Sequence, residues 1–178
     1  MSQNYVEPWL GGPIEGVGPE VMPLFFSFAQ VRDDLRKHTA GLSDEQVWRR
    51  VRASAPLGFH IRHIGGSVDR LITYLEGGQL SADQLSALKS EATPGASMGE
   101  LVAQLEEALR AAERRLQALD TSRLQDLRYI GRKRLAVTVL GLLVHIAEHT
   151  QRHLGQAITT AKLVRNLDQA TTASSASS

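Results

Sequence analysis

The histidines of this sequence are unevenly placed, and their spacing gives them chemical meaning. Of the six, His38 stands alone, His60 and His63 lie three apart, and His145, His149 and His153 follow one another at intervals of four. On an α-helix, residues four apart are separated by a rise of ~6 Å and share a face, so two such imidazoles can converge on one ion with bonds of ~2.0–2.1 Å. Residues eight apart are about 12 Å distant along the axis. One ion therefore takes His145 with His149, or His149 with His153. A third ligand has to come from another helix, and His60 or His63 supplies it. Gly65 and Gly66, directly afterwards, remove side-chain bulk and admit a neighbouring helix or a ligand. A single histidine amid apolar residues is usually a core residue bonded to a carbonyl or carboxylate; the metal reading rests on the constellation. Three imidazoles on a bundle wall leave coordination positions open, as in catalytic rather than structural zinc sites. Water bound there ionises at roughly pH 7.

Those histidines need helices to carry them, and the apolar periodicity provides four long ones. Residues 1–18 hold too many prolines and glycines for regular structure and form an irregular N-terminal arm. From Pro19, apolar residues at three- and four-residue steps (Val21, Leu24, Phe25, Phe28, Val31, Leu35) predict a first helix ending near Gly41. Ser43 and Gln46 have the form of a capping box, so a short connector helix runs to Trp48. A second long helix starts at Pro56 and stops at Gly77–Gly78. Ser81 and Gln84 repeat the capping box before Thr93-Pro94-Gly95 breaks the chain. Ser97 and Glu100 open a third long helix, with Leu101, Leu105, Leu109 and Leu116 on one face and charges of alternating sign on the other. Leu127–Val137 is mixed, with Gly131 in its middle, and no strand pattern stands out. A fourth long helix follows over Val139–Leu163, capped by Thr138. This is an all-α chain, a four-helix bundle with short connector helices. Its domain spans 19–166, and the polar residues 167–178 form a tail expected to be disordered.

Composition removes several functions. With no cysteine there is no disulfide, thiolate nucleophile or iron–sulfur cluster, and His, Asp and Glu are the remaining strong ligands. Lys and Arg (20) nearly balance Asp and Glu (19), which argues against nucleic acid as a partner. Residues 1–10 lack the charged and apolar regions of an export signal. The longest apolar run, Ala136–Ala147, is interrupted by His145 and followed by Glu148, so no membrane span is expected and the protein is placed in the cytoplasm.

Two stretches, Phe59–Leu71 with His60, His63, Gly65 and Gly66, and Leu143–Gln156 with His145, His149, His153 and Gly155, resemble the signature helices of the DinB-like (DinB/YfiT) superfamily of metal-dependent enzymes. The similarity extends over roughly residues 20–160. It implies an up-down-down-up bundle in which His63, His149 and His153 hold a divalent ion, zinc or nickel first and manganese or iron next. It also implies activation of water, as in a hydrolase, or of a low-molecular-weight thiol, as in a thiol-dependent transferase, acting on a small-molecule substrate. His60 and His145 are additions to the minimal pattern and are assigned to supporting or core positions. A homodimer is expected. The alternative is a non-catalytic metal-binding or dimerising helical module.

Around these ligands, Glu148 lies about 100° from His149 on the helix and is expected to face a neighbour or solvent. Asp69 is off the face of His63 and expected in a salt bridge. Gln156, three residues after His153, is placed to line the site. Arg62 and Arg152 flank the histidines and could clamp a carboxylate. Arg132, Lys133 and Arg134 form a basic cluster that would receive an anion only if its loop overhangs the metal. Phe25, Phe26, Phe28 and Trp48 are expected in the core.

Overall fold

The helices stop where the breakers stand. In a computed structural model, which describes the backbone of residues 6–175 and the side chains of residues 6–168, the arm contributes only a 3-10 turn at Pro8–Leu10. There follow α1 (Met22–Thr39), α2 (Asp44–Trp48), α3 (Leu57–Leu75), α4 (Ala82–Ser90), α5 (Met98–Gln117), the strands β1 (Leu127–Ile130) and β2 (Leu135–Thr138), and α6 (Val139–Ser175). The capping boxes form as the sequence requires. Ser43, Ser81 and Ser97 each accept the backbone N–H three residues on, and Gln46, Gln84 and Glu100 accept in return. Thr138 Oγ1 accepts the Gly141 N–H at 3.0 Å and so caps α6.

The long helices α1, α3, α5 and α6 share one core. α3 packs against both α5 and α6, and α1 packs against α6. From α3 the core takes Leu57, Ile61, Ile64, Val68, Ile72 and Leu75; Leu101, Leu105, Leu109 and Leu116 enter from α5, and Leu142, Leu143 and Ile146 from α6. Fully burying such a side chain is worth ~1.5–3 kcal/mol. Gly65 permits a close approach of α3 to α5, because a Cβ added there would stand 3.3 Å from that of Ala108. α1 and α5 touch less, and a charged clamp joins them. Arg32 donates to Glu106 at 2.7 Å and, in a bidentate pair, to Glu113 at 2.6 and 3.1 Å. Of the phenylalanines, Phe25 and Phe28 are buried in this core, Phe26 is half-buried, and Trp48 lies against Gly58 with its Nε1 donating to Ala96 O at 2.7 Å. Among the described residues no helix is long and apolar enough to cross a membrane.

Two stretches differ from expectation. Leu127–Thr138 is a β-hairpin, with Leu127 opposite Thr138 and Ile130 opposite Leu135. Its turn relies on Gly131 and Arg134, both with positive φ, at 65° and 50°. Half-buried residues alternate with exposed ones on β1: Ile130 packs on the core, and Arg128 Nε donates to Leu75 O at 2.7 Å, satisfying a carbonyl at the end of α3. Each strand is four residues long, too short for alternation to stand out from the sequence. α6 continues through Ser175, into the stretch expected to be disordered, and Arg49 and Gln46 both donate to Asp168 at the start of it. Residues 1–5 and 176–178, the ends of the expected arm and tail, lie outside the described residues.

Candidate metal centre

α3 and α6 lie side by side, and their histidines meet. One ring nitrogen from each of His63, His149 and His153 lies within 4.8 Å of the other two. His63 Nε2 is 3.0 Å from His149 Nε2, and the ring centroids of His153 lie 4.3 Å from His63 and 4.6 Å from His149. The structure thus brings together the trio formed by the pair His149–His153 and His63.

The additional histidines part company. His60 is buried, with its Nδ1 3.3 Å from His153 Nδ1, one ring donating and the other accepting. This agrees with a supporting place. His145 sits at the rim: its side chain is 45% exposed and its Nδ1 is 2.8 Å from Glu148 Oε1, while its ring lies 5.3 Å from that of His149, so of the two places expected for it the fold provides the one beside a ligand and not one in the core. The reason is local, since the hydrogen bond to Glu148, three residues on, is made on the solvent side of α6.

Burial, and neighbouring charge after it, favours the neutral form of His149, His153 and His60. Burial first, then the neighbouring His63, His149, His60 and Arg152, pushes His153 down to about 4. Burial and then His63 push His60 to about 4 as well. His149 is lowered by burial, then by His63, His145 and Arg152, against the opposing pull of Glu148. Neutral imidazole is the form that binds a metal.

A carboxylate supports the trio from behind. Glu91, just past the end of α4, is 5% exposed, and its Oε2 is 2.7 Å from His63 Nδ1 while its Oε1 accepts from Arg70 Nη1 at 2.8 Å. Burial raises its pKa, but the hydrogen bonds from His63 and Arg70 and their charges outweigh it and hold the carboxyl below its ordinary value. Sequence reasoning assigned no role to Glu91 or Arg70. Arg70 carried a signal, being seven residues and so two turns from His63 on the same face of α3. Glu91 carried none, because only the fold carries its loop back to α3. Gly66 makes the room: a Cβ there would lie 2.7 Å from Glu91 Oε1 and 2.8 Å from Arg70 Nη1.

The remaining candidates resolve plainly. Arg62 is committed to the carbonyls of Ser90 and Thr93, at 3.2 and 2.5 Å, and lies over the Trp48 ring, so it is structural rather than a carboxylate clamp. Arg152 pairs with Glu148 at 2.6 Å, and Glu148 is exposed as expected. Asp69 bonds Gln84 and Arg115, the expected salt-bridged role. The basic turn Arg132–Arg134 does not overhang the site: β1 is fastened at Leu75, twelve residues or roughly 18 Å along α3 from His63.

A cavity of about 790 Å³ opens beside the trio, walled by Phe59, His60, Arg152, His153, Gln156 and Thr160. Phe59 stacks on His63 at 5.3 Å and 20° and meets His153 edge-on. A second groove, of about 820 Å³ between α1 and α6, is lined by none of the three histidines.

The donor set fits a divalent metal. Two nitrogens each bonded to one ion at ~2.0–2.1 Å stand roughly 2.9–3.4 Å apart, the range in which the His63–His149 pair already lies. Imidazole suits zinc, nickel and iron. His149 Nδ1, the ring nitrogen other than the one beside His63, is buried with no hydrogen-bond partner among the described residues, so no protein group fixes this ring from behind as Glu91 does for His63.

Comparison with known proteins agrees with this arrangement. No curated protein matches the sequence. A crystal structure described as the conserved protein of locus from Enterococcus faecalis superimposes with a TM-score of 0.64 at 16% identity, over 79% of this chain and 94% of that one, and so shares the fold. The family model of the DinB superfamily matches residues 27–157, which include the histidines of α3 and α6. This chain belongs to the DinB superfamily.

Proposed function

We propose that this protein is a metal-dependent enzyme in which His63, His149 and His153 hold a divalent ion, zinc or nickel before manganese or iron, and in which water or a low-molecular-weight thiol is activated. The observation that carries the reading is the convergence of one ring from α3 and two from α6, with two Nε2 atoms 3.0 Å apart. When bound, the ion would act as a Lewis acid, lowering the pKa of the water or thiol and polarising the bond to be attacked. The chain's own residues prepare that role. Phe59 stacks on His63 and keeps water from one side of the ring. His60 and His153 share a proton through their Nδ1 atoms, which orients the His153 ring. The adjoining cavity, at about 790 Å³, has the size that takes a small-molecule substrate.

The test is metal content after purification without a nickel column, on the wild type and on the triple variant His63→Ala/His149→Ala/His153→Ala. Stoichiometric metal in the first and none in a still helical second supports the reading. A wild type that neither carries metal nor binds added zinc, nickel or manganese refutes it. Turnover of electrophiles by the metal-loaded protein only with an added thiol identifies a transferase; turnover without one identifies a hydrolase; metal without turnover in either arm favours a non-catalytic module.

A further inference from the structure

We infer that Glu91 is the positioning residue of the centre: held by Arg70 across Gly66, it fixes the tautomer and orientation of His63 so that Nε2 faces His149 and His153. This rests on the metal reading above, and it concerns how the chain prepares the site rather than what binds there.

An ionised carboxylate only accepts hydrogen bonds. At 2.7 Å from His63 Nδ1, Glu91 Oε2 therefore requires the proton on Nδ1, which in the neutral ring leaves Nε2 with its lone pair bare. That bare nitrogen is the one 3.0 Å from His149 Nε2. The second oxygen of Glu91 is occupied by Arg70, so the carboxylate cannot swing away from His63 without abandoning a buried cation. Arg70 and Glu91 are 7% and 5% exposed, in surroundings where an unpaired charge is costly.

Two further features hold Glu91 in place. Gly66 provides the space, since any side chain on it would collide with both members of the pair. Arg62 also grips the loop from α3, donating to the carbonyls of Ser90 and Thr93 on either side of Glu91. The residues at 62, 63, 66 and 70 of one helix thus hold a single acidic side chain that arrives from a separate connection. Outer partners of this kind typically change metal affinity ~10–100-fold when removed.

The experiment combines a tautomer measurement with a zinc titration. Nitrogen-15 NMR of the His63 ring in metal-free wild type, at mildly alkaline pH, is expected to show the Nδ1–H form; the Nε2–H form or an even mixture overturns the proposal. Glu91→Gln is expected to bind zinc ~10–100-fold more weakly, with helical circular dichroism preserved. Affinity equal to wild type overturns the proposal. Should Glu91→Gln fail to fold because Arg70 is left unpaired, the double variant Glu91→Ala/Arg70→Met removes both charges and is expected to show the same loss together with a mixed His63 tautomer. A wild type that shows the Nδ1–H form yet binds no zinc refutes the metal reading and leaves the Glu91–His63 geometry standing, so the two failures are separable.

Discussion

Gly66→Ala and Gly155→Ala make the same chemical change inside two helices, and they are expected to move stability in opposite directions. Replacing a helical glycine by alanine gains ~0.8–1.0 kcal/mol from backbone entropy alone. At Gly155 a new Cβ meets nothing within 4 Å, so the full gain is expected. At Gly66 it would stand 2.7 Å from Glu91 Oε1 and 2.8 Å from Arg70 Nη1. Both atoms are ends of flexible side chains, but both are buried and bonded to each other, and shifting them sacrifices a charge-assisted hydrogen bond worth ~1.5–3 kcal/mol. The balance is a loss of about 0.5–2 kcal/mol, obtained by setting that bond against the entropic gain. For a protein of this size 1 kcal/mol moves Tm by ~2–4 °C, so Gly155→Ala rises by a few degrees and Gly66→Ala falls by a few. The assay is urea unfolding of metal-free protein at mildly alkaline pH, read by circular dichroism, with equal slopes for all three proteins. A Gly66→Ala midpoint at or above that of wild type would refute the reasoning, for it would mean that the Glu91–Arg70 pair moves aside without cost.

Other outcomes follow from the same geometry. The metal-free protein loses stability on acidification through its histidines: His60, His149 and His153 have folded pKa values below the ordinary 6.5, so the unfolded chain takes up protons first. Urea midpoints should therefore hold above pH 6.5 and decline from there toward about 4, where His60 and His153 finally titrate; a flat profile between these values contradicts this. His149→Ala should abolish zinc binding while His145→Ala retains it in calorimetric titration, because the latter ring stands outside the converging trio and is paired with Glu148 at the rim. Arg32→Met, which removes an ion-pair partner of Glu113 and leaves Glu106 with Arg110, should lower stability by about 1 kcal/mol, the order expected for a partly exposed ion pair, with the difference from wild type shrinking at high salt.

What the sequence made legible was whatever is local. The four-residue steps of His145, His149 and His153, the glycines after His63, and the serine caps all act within one or two helical turns, so they survive in a one-dimensional reading. The choice between His145 and His153 was not local, since both share a spacing with His149 and only the angle between α3 and α6 decides which faces His63; there the family resemblance supplied the answer. Glu91 was invisible because its partners Arg70 and His63 lie 21 and 28 residues away. The hairpin was missed for a different reason. Leu127-Arg128-Tyr129-Ile130 points an arginine inward to cap α3, and that breaks the apolar alternation by which strands are recognised.

The β1–β2 turn hangs from the end of the bundle where α3 finishes, far from the imidazoles, and this makes it a handle. A short peptide for enzymatic biotinylation, spliced between Arg132 and Lys133, would take the place of a polyhistidine tag and bring no competing chelator near the centre. A single cysteine introduced in that turn could carry a fluorophore without ambiguity, because the chain has no thiol of its own. Metal uptake could then be followed on immobilised or dye-labelled protein whose own histidines are the only ones in the sample.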